Sequence, residues 1–479
     1  MNTRKIFGYA LGPLGSAAIG IISLPLISWY FPAEDIGRIV MLQTVAALTL
    51  NLTGLGLDQA YIREYHAATD KAALFRAIVL PPVILTALLC LAIALIRLSW
   101  PSEQVLEISN NTLGLLCLIF FSGSLLTRYF ALILRMEEKA FAFSFSQLAP
   151  KVLILIFVLM SVAIGFPTHT LTLVSAYTLA QVLTVVILVL QTRSELKAAA
   201  SVSLSTPLLK ESLHYGLPLA LGGLAYWGFT SVDRFLLKEL SGLSELGVYS
   251  MAVSFGAIAL IFQNIFSVIW APMVFKWVKE KTNLDKIGSI TESMTDLIAA
   301  LICIVGLFSP LVNWILPEKY APVQFILLSS MLFPLLYTLT EVTGIGINVS
   351  KKTWLITVFS LTALLCNLGL LYALVPIAGA RGAAISTAIS FWLFSILKSE
   401  ASIRLWQPLP RIKLYGSTFL CLAVCLLYTY YGTSQNYYFF AVLWLAALIL
   451  LLFKNRNALN NLAVQIKGRL KHRSGRQPE

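Results

Sequence analysis

Charged side chains are scarce in this chain of 479 residues, and their scarcity excludes a soluble fold. Asp, Glu, Lys and Arg together make up 12% of the sequence, whereas hydrophobic residues make up 58% and the mean hydropathy is +0.82. Soluble domains carry about 25% charged residues. Such an apolar composition predicts a polytopic membrane protein with little mass outside the bilayer.

Histidine and cysteine are few as well, and their positions disfavour a metal site or an enzyme. The 4 histidines form no His-x-x-x-His pair, and the 6 cysteines lie inside apolar stretches without metal-ligand spacing. We therefore expect no metal and no cofactor. Large external loops are also lacking, and His169 is the one histidine in a predicted outer gap. A membrane-bound polymerase, ligase or acyltransferase is disfavoured for this reason.

Fourteen apolar stretches lie between residues 8 and 453, each about long enough for a helix to cross the hydrocarbon core. Of the 35 Lys and Arg residues, 27 fall in alternate gaps on one side, 5 fall in gaps on the other side, and the remaining 3 fall within spans. Because positive loops are retained in the cytoplasm, both termini are predicted to be cytoplasmic. This retention pattern accounts for the net charge of +13, so nucleic acid is not an expected partner.

The chain contains an internal repeat. Residues 32–37 (PAEDIG) match residues 242–247 (GLSELG) at an offset of 210 positions, and residues 135–139 (RMEEK) answer residues 348–352 (NVSKK) at an offset of 213. The predicted fold is an all-α membrane protein of about 14 transmembrane helices, with two pseudo-symmetric six-helix bundles plus two C-terminal helices. Its expected segments are a first bundle at 1–192, a cytoplasmic linker at 193–213, a second bundle at 214–400, two added helices at 401–453 and a basic cytoplasmic tail at 454–479.

In the tail, Leu459, Leu462, Ile466 and Leu470 recur at helical spacing among basic residues. This pattern suits a helix lying on anionic lipid, and it equally suits a solvated stop-transfer tail.

Two repeated six-helix halves are typical of secondary transporters, in which a site between the halves opens alternately to each side. The first helix of each half is rich in glycine and proline, including Gly12, Pro13, Gly216 and Pro218. Such residues either allow a helix to bend where it lines a cavity or allow helices to pack closely.

Charged residues deep in the bilayer are costly and are therefore candidates for function. Lys151 lies about ten residues into the fifth stretch, about 15 Å from its cytoplasmic end. Arg128 lies in the fourth stretch, and the repeat offset of 213 aligns it with Glu341, so these two either pair or face a shared cavity. Asp233 and Arg234 are neighbours that cannot face each other on a helix, so we expect at least one of them to have another partner.

Polar residues in or beside the spans are candidates to line a water-filled cavity or to bond between helices. The main ones are Asp58, Gln59, Gln147, Gln263, Asn264 and Asn367.

Several segments together resemble the polysaccharide transporters of the multidrug/oligosaccharidyl-lipid/polysaccharide exporter superfamily, which includes the O-antigen flippases. The resemblance covers about residues 6–400. Its pieces are residues 213–219 (LHYGLPL), 231–235 (SVDRF), 246–250 (LGVYS), 270–272 (WAP), 55–60 (LGLDQA), 318–322 (EKYAP) and 379–384 (GARGAA).

The resemblance implies translocation of an undecaprenyl-diphosphate-linked oligosaccharide from the inner to the outer leaflet of the bacterial plasma membrane, for O-antigen, capsule or exopolysaccharide synthesis. It implies a cationic cavity, for which Arg128, Lys151 and Arg234 are the available cations. A polysaccharide polymerase and a chain-length regulator are candidate partners. Proton or sodium coupling is left open, with Glu341, Asp233 and Asp58 as coupling or ion-pair candidates.

Two related functions remain as alternatives. A cation-coupled drug exporter would favour a carboxylate-rich first half, whereas five of its six spans hold no acidic residue. A lipid II flippase also has two added helices and cationic sites, but here the first span holds no charged residue before Glu34.

Overall fold

The computed structural model describes residues 3–456, and every regular element in that part of the chain is helical. The first half of the chain forms α1 (Thr3–Ser28), α2 (Ala33–Gly54), α3 (Leu57–Glu64), α4 (Lys71–Arg97), α5 (Trp100–Leu106), α6 (Asn111–Met136), α7 (Ala140–Ile164), α8 (Thr170–Gln191) and α9 (Arg193–Ser201).

The second half forms another series, with two short 3-10 turns at Ser309–Leu311 and Glu318–Tyr320. Its α-helices are α10 (Thr206–Ser241), α11 (Leu243–Glu280), α12 (Lys286–Phe308), α13 (Val312–Ile315), α14 (Val323–Thr343), α15 (Ile345–Val349), α16 (Trp354–Leu405), α17 (Arg411–Tyr431) and α18 (Tyr437–Lys454).

Within residues 3–456, twelve helices are long and apolar enough to cross a membrane. The longest, α16, is broken at Gly379, whose φ of 51° and ψ of −128° are not helical, so it holds two of the predicted spans. Helix α10 covers a further predicted span but is not among the twelve. The all-α membrane fold is thus confirmed, while the number of about 14 crossings stays a prediction.

Local sequence explains where several helices begin and end. Asp70 and Asn110 cap α4 and α6, because their side-chain oxygens accept hydrogen bonds from backbone amides three residues later. Gly165 follows α7 with a φ of +87°, a left-handed conformation that glycine adopts without a Cβ clash.

Equivalent helices pack in equivalent ways in the two halves. Helix α1 packs along α7 in the first half, and α10 packs along α16 in the second. Similarly, α6 contacts α8, and α14 contacts α16. Between the halves, α2 lies along α11, while α1 contacts α11 and α2 contacts α10. These pairings give the molecule two related bundles joined through α1, α2, α10 and α11.

The repeated segments found in the sequence meet each other in space. A Cβ on Gly37 would lie 2.0 Å from the carbonyl oxygen of Leu243, and a Cβ on Gly247 would lie 2.0 Å from that of Ala33. Both members of one contact lie 210 positions from the members of the other, so the two contacts are reciprocal. The two backbones touch here because both helices have glycine at this position.

A second pair of contacts repeats the same offset. Thr170 donates its hydroxyl hydrogen bond to Asp35 at the start of α8. Glu245 accepts a hydrogen bond of 2.8 Å from the amide of Ala380, where the second part of α16 begins. In both halves an acidic residue thus holds the start of the sixth helix of its bundle, because anionic groups are stabilised at helix N-termini.

The segment at 193–213, which is predicted to be a linker, is largely helical. Helix α9 occupies its first part, and α10 begins at Thr206. Arg76 donates hydrogen bonds to the carbonyl oxygens of Ala199 and Ala200, so the end of α9 is fastened to α4. The added helices lie on the second half, with α17 against α12, α14 and α16, and α18 against α12. The predicted amphipathic tail around Leu459–Leu470 lies outside the described residues.

Candidate functional site: cavities between the two halves

A cavity of 380 Å³ lies between α1, α7 and α11, at the junction of the two bundles. We call it the central cavity. Its walls include Ser16 and Gly20 of α1, Lys151 of α7, and Ser254 and Asn264 of α11. Lys151 is the one charged residue in this lining, so the cavity carries a positive charge.

The Lys151 ammonium group has one hydrogen-bond partner among the described residues. Its Nζ donates a hydrogen bond of 2.8 Å to the backbone carbonyl of Ser16. No carboxylate of residues 3–456 forms an ion pair with it. Because Lys has three donors, the group can bind an anion in the cavity while keeping its bond to Ser16.

The glycines of α1 bring that helix close to Lys151. A Cβ on Gly12 would lie 2.8 Å from the Cα of Ser144, and a Cβ on Gly20 would lie 3.0 Å from the Nζ of Lys151. The amide of Gly12 donates a 3.0 Å bond to the Ser144 hydroxyl. Helix α1 remains continuous through Pro13, so in this structure its small residues serve close packing on α7.

A second cavity adjoins the central cavity in the first half, and a third adjoins the second. The second, of 450 Å³, shares Ser16 with the central cavity and is also lined by Arg128, Arg135 and Gln147. The third, of 490 Å³, shares Arg128 with its neighbour and reaches Gly223 of the second half. Three cavities that share wall residues thus follow one another from Lys151 to Arg128.

The repeat offset predicts that Arg128 and Glu341 either pair or face a shared cavity. In the structure they do neither, since they form no ion pair and Glu341 does not line the cavities that hold Arg128. The Nη2 of Arg128 lies 2.8 Å from Oδ2 of Asp58, and the Arg128 side chain is 49% exposed. Glu341 instead lies 3.6 Å from Nζ of Lys398, which is buried. The offset compares positions on α6 and α14, whereas each charge is neutralised by a nearer helix of its own half. Lys398 ends an apolar stretch and is one of the 27 cations that the sequence assigns to the inner gaps, so the sequence does not reveal its burial.

Arg234 lies outside the cavities that hold the other two cations, and its own cavity shares Leu260 with the central cavity. It lines a cavity of 280 Å³ inside the second half, together with Asp233, Tyr249 and Phe391. Asp233 is buried and accepts hydrogen bonds from the Tyr249 hydroxyl and from the amide of Arg234, and the Arg234 guanidinium points to Ser231. The two neighbours thus have other side-chain partners, as their helical spacing predicts. The structure does not bring Arg234 into the cavity that holds Lys151.

The predicted polar residues divide between cavities and packing. Asn264 lines the central cavity, Gln147 the cavity beside it, and Gln59 the one next to Asp58. Gln263 and Asn367 are buried and line none of these four cavities. The two amide atoms of Asn367 have no hydrogen-bond partner within the described part of the chain.

The halves are joined at the end of the molecule that is predicted to face outward. Lys319 of the second half donates a bond of 2.6 Å to the carbonyl oxygen of Phe31, and Lys238 of the second half donates one of 2.8 Å to that of Gln104. Burial lowers the pKa of Lys319, and the nearby Asp35 carboxylate partly offsets this. With the reciprocal glycine contacts, these bonds hold the two halves together at that end. Both lysines are among the 5 cations that the sequence assigns to the outer gaps, and the sequence does not indicate these bonds.

Comparisons with known proteins agree with this architecture. Residues 3–278, more than half of the chain, match the family described as "Polysaccharide biosynthesis protein". No curated protein matches the chain.

Several solved structures share the fold. A lipid II flippase MurJ in an inward closed conformation is 13% identical with a TM-score of 0.68, and the match covers 94% of this chain and 99% of that one. An inward-facing multidrug resistance MATE family transporter of the MOP superfamily is 16% identical with a TM-score of 0.59, covering 85% and 96%. A MOP superfamily transporter from Pyrococcus furiosus is 17% identical with a TM-score of 0.54, covering 84% and 95%.

At these identities the structural matches show a shared fold, that of membrane transporters and flippases. The match to the family extends from α1 through most of α11, and every residue that lines the central cavity lies within the matched segment. The chain therefore belongs to the polysaccharide biosynthesis protein family.

Proposed function

We propose that this protein is a flippase that moves an undecaprenyl-diphosphate-linked oligosaccharide from the cytoplasmic to the outer leaflet of the bacterial plasma membrane. The cargo crosses without chemical change, by alternating access of a cavity between the two halves. Both termini are cytoplasmic in this proposal, and the transported unit feeds O-antigen, capsule or exopolysaccharide synthesis through a polymerase and a chain-length regulator.

The position of Lys151 carries the proposal. A diphosphate and a chain of hydroxyls lose several kcal/mol of hydrogen bonding per group if they enter hydrocarbon. The central cavity offers such a head group the side chains of Ser16, Ser254 and Asn264, and an ammonium whose protein partner is the Ser16 carbonyl. The prenyl tail stays in lipid during this movement. Arg128, half exposed in the adjoining cavities, adds a guanidinium that can hold phosphate oxygens in a bidentate manner.

The charge of the cavity separates this proposal from a drug exporter. No carboxylate lines the central cavity among the described residues, which suits an anionic cargo rather than a cationic drug. For a head of charge about −2, a negative-inside potential of about 100 mV contributes roughly 4–5 kcal/mol to outward movement.

Asp233 is the better of the proposed coupling residues. Its carboxylate is buried in a pocket of the second half and forms no salt bridge within residues 3–456, whereas Glu341 is paired with Lys398 and Asp58 with Arg128. Such an acid can bind a cation without first breaking an ion pair, whereas Glu341 and Asp58 would each have to leave a cationic partner. Asp233→Asn is therefore expected to abolish any dependence of transport on proton or sodium gradients.

Deletion of the gene tests the function. We expect loss of one surface polysaccharide and accumulation of its lipid-linked precursor on the cytoplasmic leaflet, both restored by the wild-type gene. Rescue of a strain depleted of its lipid II flippase, with surface polysaccharide unchanged by the deletion, would instead establish the lipid II alternative.

A further inference from the structure

The chain turns sharply between α2 and α3, close to the cavity that holds Arg128. Helix α2 ends at Gly54, and the next two residues, Leu55 and Gly56, have φ values of 53° and 67°. Both are left-handed, a conformation that non-glycine residues adopt rarely. Helix α3 then begins at Leu57 in a new direction. We call Leu55 and Gly56 the joint. Because the joint separates α3 from α2, the contacts of residues just after it hold the first turn of α3 in position.

The joint is also where the first half meets the second at the end predicted to face the cytoplasm. A Cβ on Gly56 would lie 2.1 Å from the carbonyl oxygen of Gly216 in α10, so the two backbones are in contact. Further along α3, the guanidinium of Arg63 lies 4.3 Å from the centre of the Tyr215 ring. We call these two interactions the inner contact.

Asp58 fixes the first turn of α3 to α6. Its Oδ2 accepts hydrogen bonds of 2.8 Å from Arg128 and 3.0 Å from Gln59. The adjacent Tyr129 of α6 donates a bond of 3.0 Å to the carbonyl oxygen of Gly54, at the end of α2. Helix α6 thus holds both sides of the joint, and Arg128 supplies the ionic part of that hold.

The Arg128–Asp58 pair is open to exchange. The Arg128 side chain is 49% exposed and the Asp58 side chain is 20% exposed, and both line the same cavity. Ion pairs this exposed are weak. A diphosphate offers Arg128 more negative charge than one carboxylate and a bidentate geometry, so it is the stronger partner for the same guanidinium.

We propose that Asp58 competes with the anionic head group of the cargo for binding to Arg128, and that displacement of Asp58 from Arg128 releases the inner contact. The identity of this anion rests on the proposed function. In the empty protein, the Arg128–Asp58 pair holds the first turn of α3 on α6, in the position at which the neighbouring Gly56 contacts α10. When a diphosphate takes Arg128, the turn loses its ionic anchor and the halves separate more readily at this end. The entrance then opens in response to the cargo rather than at random.

Cross-linking of the full-length protein in detergent tests this coupling. Cysteines replace Arg63 and Tyr215 and are bridged with a short bis-methanethiosulfonate reagent. These substitutions remove the Arg63–Tyr215 interaction, so bridging reports on the Gly56–Gly216 part of the inner contact. A protease site inserted after Ser203, between α9 and α10, separates the halves on a gel unless they are bridged. Single-cysteine versions report the background from native thiols. The probe is geranylgeranyl diphosphate, with geranylgeraniol as the uncharged control.

We expect the diphosphate, but not the alcohol, to slow bridging about two- to fivefold, the range set by an exposed ion pair. Asp58→Asn is expected to bridge at the slower rate without probe and to show no further response. Arg128→Gln breaks the same pair from the other side and should behave likewise. Glu64→Gln removes a negative charge from the same helix without touching Arg128, and should behave as wild type.

Binding of radiolabelled geranylgeranyl diphosphate is measured in parallel. If the probe binds but Asp58→Asn bridges at the wild-type rate and still responds, the exchange is wrong while the cationic cavity stands. If no variant binds the probe, the proposed function fails and the exchange fails with it. Thermal unfolding of each variant shows whether a changed rate reflects misfolding.

Discussion

Lys151→Met is the substitution that most directly probes the central cavity. It preserves the length of the side chain and removes the charge. In the empty protein the ammonium makes one hydrogen bond, to the carbonyl of Ser16, and losing one such bond costs about 1 kcal/mol. The substitution also relieves a partly buried charge of its desolvation, so we expect the stability of the fold to change by no more than about 1 kcal/mol.

The effect on cargo binding is larger. A hydrogen bond between an ammonium and a phosphate oxygen contributes about 1.5–3 kcal/mol, and 1.4 kcal/mol is a factor of ten in affinity. Lys151→Met is therefore expected to weaken binding of a prenyl diphosphate about ten- to hundredfold, and to reduce surface polysaccharide at normal expression.

The matched control is Lys276→Met. Lys276 lies on α11, its side chain is 70% exposed and its partner Glu280 is 3.9 Å away. It loses the same charge outside the cavity, so binding should stay within about twofold of wild type. Equal affinities for wild type and Lys151→Met, measured with radiolabelled geranylgeranyl diphosphate, would refute the assignment of the cavity to the diphosphate.

The remaining predictions concern the contacts that hold the two halves. Gly37→Ala should lower stability by about 1–3 kcal/mol because its Cβ meets a backbone carbonyl of the other half, whereas Gly369→Ala, in open space on α16, should be neutral or stabilising by up to about 1 kcal/mol; similar melting temperatures would contradict this. Lys319→Met removes a bond between the halves at the outer end, so it should increase labelling of a cysteine in the central cavity by an impermeant maleimide applied from outside. Unchanged labelling would show that this bond does not restrict access to the cavity. Glu341→Gln should lower the free energy of unfolding by about 3–5 kcal/mol because it leaves Lys398 buried without a counter-ion. Adding Lys398→Met should recover most of this loss in a denaturation series, and a double variant no more stable than the single one would disprove the pairing.

The sequence predicted the architecture well because repetition and hydropathy are properties of the chain itself. The offset of 210 positions identified the two segments that meet at Gly37 and Gly247, although the match was read as repetition and not as contact. Lys151 was singled out because charge within an apolar stretch is costly, and the structure places it on a cavity wall.

Partners of charged groups were harder to predict, because they depend on how helices turn and tilt. Arg128 was aligned with Glu341 by offset, but Asp58 reaches it through the left-handed joint after Gly54, which no periodicity reveals. Lys398 was treated as a loop cation since it ends an apolar stretch, yet α16 continues to Leu405 and buries it.

The same limit applies to Lys238 and Lys319. Lys319 bonds to the carbonyl of Phe31, and Lys238 bonds to the carbonyl of Gln104 and lies 3.4 Å from the carboxylate of Glu107. All three partners belong to the other half, and the sequence does not show which loops of the two halves meet.

The most direct test of transport is to follow the cargo across a bilayer. The purified protein is reconstituted into liposomes that contain undecaprenyl diphosphate linked to a fluorescent N-acetylglucosamine, and dithionite quenches the label on the outer leaflet. We predict that quenching proceeds beyond the outer-leaflet half in wild-type proteoliposomes and stays near half with Lys151→Met. Quenching that stops at half with the wild-type protein, or that passes half equally well with Lys151→Met, would contradict the account.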